Sequence, residues 1–117
     1  MDLRDLCLAQ RGAIEDFPFG EDVRVIKVRG KMFALIPVGS DPASISLKCD
    51  PLLAQAMRDT YEAVQPGYHL SKKHWNTVTI DGSIPDNEIQ DMIDLSYDLV
   101  VKGLTKKERA ELAALDE

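Results

Sequence analysis

The sequence predicts an α+β fold with two layers, a twisted antiparallel β-sheet and helices packed mainly on one of its faces. Two observations lead to this prediction. Segments with the alternating, β-branched pattern of strands are interleaved with segments that repeat apolar residues every three to four positions, as amphipathic helices do. Their order along the chain is α-βββ-α-ββ-α-α. The 117 residues, 44% of them hydrophobic, suit one domain spanning residues 1–117 that needs no metal or disulfide to hold its core.

The first third of the chain predicts a short helix followed by a β-hairpin. Asp2 is placed as the N-cap of the helix, and Gly12 as its end. The aromatic, Pro- and Gly-containing stretch 15–20 predicts an ordered loop. Residues 23–36 are β-branched and aromatic on both sides of Arg29-Gly30, where glycine permits the positive φ of a tight turn. A hairpin over 23–36 follows.

The predicted hairpin has two different faces, because alternate residues of a strand point to opposite sides of a sheet. With Arg29-Gly30 as a two-residue turn, one face is the candidate core face, and it holds Val23, Val25, Lys27, Met32, Ala34 and Ile36. The other face mixes basic and apolar groups and is expected to be only partly covered, with Arg24, Ile26, Val28, Lys31, Phe33 and Leu35. A slip of one residue in the register would exchange the faces, and the Val25-Ile26 pair is a candidate for a bulge.

The rest of the chain predicts three further strands and three helices. A third strand covers 44–49, and Asp50 followed by Pro51 then starts a helix that closes at 65–67. Strands are expected at 67–70 and 75–80. The longest helix runs over 85–102 with one apolar face, and Thr105-x-x-Glu108 is a capping box for a last helix ending near 114.

Composition and charge limit the classes of function. A net charge of −6 and a pI near 4.9 argue against nonspecific polyanion binding by the whole molecule. The charge is segregated, however, because residues 23–36 and 66–80 hold six basic side chains and no acidic one. With no membrane-length apolar run and no signal-peptide layout, we expect a cytoplasmic protein that does not contact membranes.

Sequence patterns typical of enzymes and metal proteins are missing. There is no nucleophile elbow, P-loop, dinucleotide fingerprint or HExxH zinc motif. His69 and His74 lack the helical spacing of a zinc pair, and the aspartates 91, 94 and 98 suit a solvated helix face. Two distant cysteines without a CxxC pattern suit reduced, structural thiols. We therefore expect no enzymatic activity, no metal and no cofactor.

The stretch 68–78 offers the densest set of groups for nucleic-acid contact. Lys72 and Lys73 supply charge for phosphates, His74 can stack on a base, and Asn76 can donate and accept at a base edge. Trp75 can also stack, although the single Trp of a small domain is more often a core residue. Together with the basic hairpin, the predicted nucleic-acid site comprises Arg24, Lys27, Arg29, Lys31, Lys72, Lys73, His74 and Asn76.

Several stretches of the chain resemble the MmcQ/YjbR family. They are residues 15–23, 30–35, 67–78, 84–85, 96–100 and 104–109, which together extend along nearly the whole chain. The resemblance implies a CyaY-like or secretion-chaperone-like domain, bacterial and cytoplasmic, labelled DNA-binding through a double-wing arrangement of hairpins. Lys72-Lys73-His74-Trp75 and Asn76 match the family's Lys-Lys-His-Trp segment, and Gly30-Lys31 matches its hairpin turn. The resemblance carries over no catalytic residue.

Two hypotheses about function follow. The first is a nonenzymatic DNA-binding module whose basic β-hairpins contact the phosphate backbone, with weak and salt-sensitive affinity. The alternative is a protein-interaction or adaptor domain that receives a partner on the mixed apolar and basic face of the sheet. The two differ in salt dependence, since only the first relies mainly on neutralising phosphates.

Overall fold

A computed structural model describes residues 2–67 and 70–115 of the chain. The described part contains four helices and six strands. Their bounds are α1 Leu3–Leu8, β1 Ala13–Asp16, β2 Val23–Val28, β3 Lys31–Pro37, β4 Ser44–Lys48, α2 Pro51–Thr60, β5 Val64–Pro66, β6 Trp75–Thr79, α3 Asp86–Lys102 and α4 Lys106–Ala113.

The strands form one antiparallel sheet in the order β1-β2-β3-β4-β6-β5. Helix α3 crosses β4, β3 and β2, whereas α2 lies beside β5 and β6 and α1 beside β1. Residues from all four helices join one apolar cluster with the sheet, which places the helices on one face. The predicted α+β, two-layer architecture is confirmed.

The helix boundaries follow the capping residues that the sequence offers. The Asp2 carboxylate accepts from the backbone N–H of Asp5 at 3.1 Å, and Asp50 caps α2 in the same way. Thr105 and Glu108 form a reciprocal capping box at the start of α4. Each cap satisfies N–H groups that the first turn of a helix leaves without partners. The long helix predicted over 85–102 is confirmed, and its predicted apolar face is buried.

The predicted order α-βββ-α-ββ-α-α is wrong by one strand. The observed order is α-ββββ-α-ββ-α-α, because β1 pairs with β2 at the edge of the sheet. Half of this four-residue strand, Glu15 and Asp16, lies in the stretch predicted as a loop. An edge strand with two acidic residues and an exposed Ile14 lacks the apolar alternation that would distinguish it from a loop.

The strand predicted at 67–70 is also misplaced. Helix α2 ends at Thr60, and Tyr61 takes extended backbone angles, φ −123° and ψ 124°. The strand lies at Val64–Pro66, where Val64 pairs with Val78. Val64 continues the three-to-four spacing of α2 in the sequence, which extended the predicted helix too far. Residues 68 and 69 of the predicted strand lie outside the described residues.

A β-bulge in β3 overturns the predicted faces of the hairpin. Lys27 pairs with Met32, whereas Ile26 pairs with Ala34, so Phe33 is an extra residue on its strand. After the bulge, β3 points the opposite set of side chains toward the helices. The core under the helices takes Ile26, Val28, Phe33, Ala34 and Ile36, and the helix-free face takes Val25, Leu35, Val23 and Met32. The predicted core face is therefore right for Ala34 and Ile36 but wrong for Val23, Val25, Lys27 and Met32, which lie on the helix-free face.

The hydroxyl of Ser96 joins α3 to the sheet next to this bulge. It donates to the carbonyl of Phe33 at 2.5 Å and accepts from the backbone N–H of Lys48 at 2.9 Å. The β3–β4 ladder pairs Ala34 with Leu47, so Phe33 and Lys48 occupy the next position along the two strands. A fully buried helix side chain thus completes the hydrogen bonding where the ladder stops.

The face of the sheet opposite the helices has an apolar cluster of its own. Val25, Leu35 and Trp75 are buried there, with Leu70 packed against them. Trp75 is only 8% exposed, which confirms the prediction that it is mostly buried. A solvent-facing side of an antiparallel sheet is usually polar. This side is instead apolar at its centre.

Candidate functional site

Basic side chains from the β2–β3 turn, the end of β4 and the connection before β6 lie at one end of the sheet. Strand β2 ends and β3 begins there around Arg29 and Lys31, and β4 ends there at Lys48. Lys48 pairs with Trp75, so the connection that carries Lys72 and Lys73 leads into β6 at the same end. We name these five residues the basic end of the sheet: Arg29, Lys31, Lys48, Lys72 and Lys73.

The tight turn between β2 and β3 projects the first of these cations. Arg29 and Gly30 both have positive φ, 50° and 81°, and Val28 pairs directly with Lys31. This is the left-handed geometry of a two-residue hairpin turn, which confirms the predicted turn. Three strand spacings separate this turn from the connection between β5 and β6, or about 14 Å.

The connection before β6 is held in place by Arg58 of α2. Its Nε donates to Oδ1 of Asn76 at 2.7 Å, and its Nη2 donates to the carbonyls of Lys72 and Trp75. The backbone N–H groups of His74 and Trp75 both donate to the carbonyl of Ser71, which closes a tight turn. The side chains of residues 72–74 are exposed. A backbone held by these hydrogen bonds therefore presents two exposed lysine side chains and an imidazole.

Asn76 does not join this exposed group. Its side chain is 2% exposed, and its amide accepts from Arg58 and donates to the carbonyl of Ala54 at 3.3 Å. Both ends of the amide are therefore used inside the protein, and neither faces a base edge. In the structure Asn76 orients Arg58, which in turn positions the connection. The proposed base-reading role of Asn76 has no geometric support.

Two predicted cations of β2 face carboxylates of β1. The guanidinium Nε of Arg24 lies 2.8 Å from Oε2 of Glu15, and Nζ of Lys27 donates to Asp16 at 2.9 Å. The hydrogen bond from Arg4 is the main cause that lowers the pKa of Glu15, with Arg24 adding to it. The hydrogen bond from Lys27 likewise lowers the pKa of Asp16. These ion pairs neutralise two of the positive charges that the sequence places on the hairpin over 23–36.

Within the basic end itself the cations differ in their partners. Arg29 donates to Oε1 of Glu111 on α4 at 2.9 Å. Among the residues described, no ion pair is formed by Lys31, Lys48, Lys72 or Lys73. Four of the eight predicted site residues therefore lie at this end with exposed side chains, namely Lys31, Lys72, Lys73 and His74.

Lys48 also belongs to this site, although it is not among the predicted site residues. It sits at the end of β4, half-buried and opposite Trp75. Its place between the two basic connections depends on the non-sequential pairing of β4 with β6. A single lysine at a strand end carries no local signal of that pairing.

The other end of the sheet carries the opposite charge. We name it the acidic end, and its residues are Asp16, Glu21, Asp22, Asp41 and Asp81. The connections 17–22, 38–43 and 80–85 at this end contain no lysine or arginine. Charge is therefore separated along the strands, although the chain as a whole is acidic.

An open depression lies on the helix-free face toward the acidic end. Its volume is about 720 Å³. We name it the sheet groove, and its lining residues are Phe19, Asp22, Val23, Leu35, Pro37, Val38, Ser44, Ser46, Leu70 and Thr77. Ser46 and Thr77 are hydrogen-bonded to each other at 2.8 Å across the floor. The remaining lining is mostly apolar.

Comparison with known proteins decides the family. A family model described as YjbR matches residues 8–99. The Escherichia coli K12 protein YjbR is 35% identical over 114 residues, which cover 97% of each chain. The chain belongs to the YjbR family. The protein YbdF of Escherichia coli O157:H7 is 37% identical over 93 residues, covering 80% of this chain and 76% of that relative.

Solved structures agree with the YjbR assignment and with the fold. Protein DR2400 of Deinococcus radiodurans, which carries a DUF419 domain, superposes with a TM-score of 0.90 at 41% identity, covering 99% of this chain and 88% of its own. A Pseudomonas syringae protein superposes with a TM-score of 0.71 at 26% identity, covering 85% of this chain and 98% of its own. None of these names states an activity.

Other candidate chemistry in this YjbR chain is sparse. Burial raises the pKa of the Cys7 thiol to about 12 and also raises that of Cys49, so both are poor nucleophiles. Within residues 2–67 and 70–115, no three His, Cys, Asp or Glu side chains are grouped to hold a metal ion, and His69 lies outside these residues. No helix in the described part is long and apolar enough to cross a bilayer.

Proposed function

We propose that this YjbR-family domain binds the phosphate backbone of duplex DNA through its basic end and catalyses no reaction. The observation that carries the proposal is the presence, at one end of the sheet, of four lysines that form no ion pair within the described residues. Lys31 begins β3, Lys48 ends β4, and Lys72 and Lys73 lie in the connection before β6, whereas the acidic connections lie at the opposite end. Local clustering of one sign of charge attracts counter-charged ligands even when the net charge opposes them.

The spacing of the two basic connections suits a double-helical ligand. They lie about 14 Å apart, which is similar to the roughly 12 Å width of the major groove of B-DNA. Lys31 can therefore approach the phosphates on one side of a groove while Lys72 and Lys73 approach those on the other. Contact with phosphates gives affinity without base specificity.

The proposed interface is small, so binding is expected to be weak and salt-sensitive. If all four lysines meet phosphates, the logarithm of affinity falls against the logarithm of salt concentration with a slope of about −3.6. Arg29 contributes less, because Glu111 already neutralises it. Arg24 and Lys27 contribute no direct contact to phosphates, because each is already paired with a carboxylate of β1.

The test is a low-salt titration of duplex DNA followed through backbone amide chemical shifts. Lys72→Gln with Lys73→Gln should remove most of the shifts at the basic end, whereas Lys72→Arg with Lys73→Arg should retain them. A control at the acidic end, Ala43→Glu with Asn87→Asp, changes the net charge by the same two units and should leave binding within about twofold. Both control positions are exposed.

Two results would reject the proposal. One is the lack of any shift in the wild-type protein at a concentration of about 100 μM, where even nonspecific DNA binding is measurable. The other is an equal loss of binding in the glutamine variant and in the acidic-end control. That result would mean that net charge, and not the basic end, governs the interaction.

A further inference from the structure

We propose that the sheet groove is a docking site for a segment of a partner protein that combines apolar side chains with lysine or arginine. The proposal is independent of the basic end. It starts from the apolar character of the helix-free face, where Val23, Leu35 and Leu70 line the groove and no helix within residues 2–67 and 70–115 covers them. Antiparallel sheets that face water on one side normally place polar residues there.

The groove also exposes apolar side chains that the fold does not use. Phe19 is 62% exposed and Val38 is largely exposed, and both line the groove from the connections at the acidic end. Contiguous exposed apolar surface in a depression is typical of interaction sites. At about 720 Å³ the groove is large enough to take several side chains of a bound segment.

Charge identifies the kind of segment that fits. Asp22 lines the groove, and Glu21 and Asp41 lie in the two connections that border it. Neither of these connections contains a lysine or arginine. Lys27, the nearest cation of the face on β2, is paired with Asp16. A partner that buries apolar groups here therefore binds more tightly if it carries positive charge at the margins of its contact surface, whereas a polyanion is repelled.

The probes are two synthetic peptides that share one pattern of leucines. The intervening positions are lysine in the first peptide and glutamate in the second. Binding is followed by the fluorescence of Trp75, the single tryptophan of the chain, which packs against Leu35 of the groove. We expect saturable binding of the lysine peptide and none of the glutamate peptide.

Matched variants assign the binding to the groove. Phe19→Ser and Asp22→Lys should each weaken binding of the lysine peptide by about tenfold, through lost apolar burial and reversed charge respectively. Leu52→Ser and Asp91→Lys make the same changes on α2 and α3, where Leu52 is 85% exposed and Asp91 is also exposed. These controls should change binding by less than about twofold.

Three outcomes would overturn the proposal. The first is equal binding of the two peptides, and the second is an equal effect of Phe19→Ser and Leu52→Ser. The third is a concentration-dependent dimer in sedimentation that Phe19→Ser abolishes, because a second copy of the chain would then occupy the groove. Lys72→Gln with Lys73→Gln should leave peptide binding unchanged, so failure of the DNA proposal and failure of this one are distinguishable.

Discussion

Replacing Arg58 with alanine should destabilise the domain more than the loss of a surface arginine does. The guanidinium donates to Oδ1 of Asn76 and to the carbonyls of Lys72 and Trp75. Hydrogen bonds from a charged donor contribute about 1.5–3 kcal/mol, and a buried acceptor left without a donor costs about 1–3 kcal/mol. Asn76 is buried and would lose its donor. We therefore expect a loss of about 2–4 kcal/mol.

The assay is urea denaturation of four proteins, the wild type, Arg58→Ala, Asn76→Ala and the double variant. If Asn76 acts mainly through Arg58, the double variant loses less than the sum of the single losses, with a coupling energy of at least about 1 kcal/mol. Arg29→Ala is the control, because its ion pair with Glu111 is exposed and should contribute less than about 1 kcal/mol. A loss below about 1 kcal/mol for Arg58→Ala, or additive losses, would refute the positioning role.

Two further predictions concern stability. Trp75→Ala should cost about 3–5 kcal/mol in urea denaturation, because it empties the centre of the apolar cluster on the helix-free face, and a loss below about 1 kcal/mol would contradict this. Glu15→Gln should reduce the fall in the free energy of unfolding that the wild type shows as the pH is lowered. The hydrogen bond from Arg4 lowers the pKa of Glu15 in the folded protein, so its contribution to stability is present at neutral pH and is lost as the pH falls through that lowered pKa. Parallel profiles for variant and wild type between about pH 6 and pH 3 would contradict this.

Local signals in the sequence were sufficient for the starts of three helices, for the buried face of α3 and for the hairpin turn. Asp2, Asp50 and Thr105 each cap a helix as their types and positions predict. The apolar face of α3 is buried as its spacing predicts. These features depend on neighbours within a few residues along the chain, which a single sequence displays directly.

The features that the sequence did not show depend on pairing between distant segments. The edge strand β1 was missed, and with it the two carboxylates that it brings beside Arg24 and Lys27. A count of charge by segment therefore overstated the positive charge of the hairpin. The bulge at Phe33 had a similar effect, since one extra residue placed Ala34 and Ile36 on the same face as Ile26 instead of Val25. The set of basic residues in the site differs from the predicted set because the strands pair differently from the prediction.

The side chain of Ser96 links the helical layer to the sheet by two hydrogen bonds. The backbone N–H of Lys48 donates to the Ser96 hydroxyl, whose own proton is donated to Phe33. Deuterium can replace the Lys48 amide proton only after that hydrogen bond breaks, and in a close-packed interior this requires α3 to move away from β3 and β4. The exchange rate of this one amide therefore measures the free energy of separating the helical layer from the sheet, while the amides of the edge strand β1 measure local fraying alone.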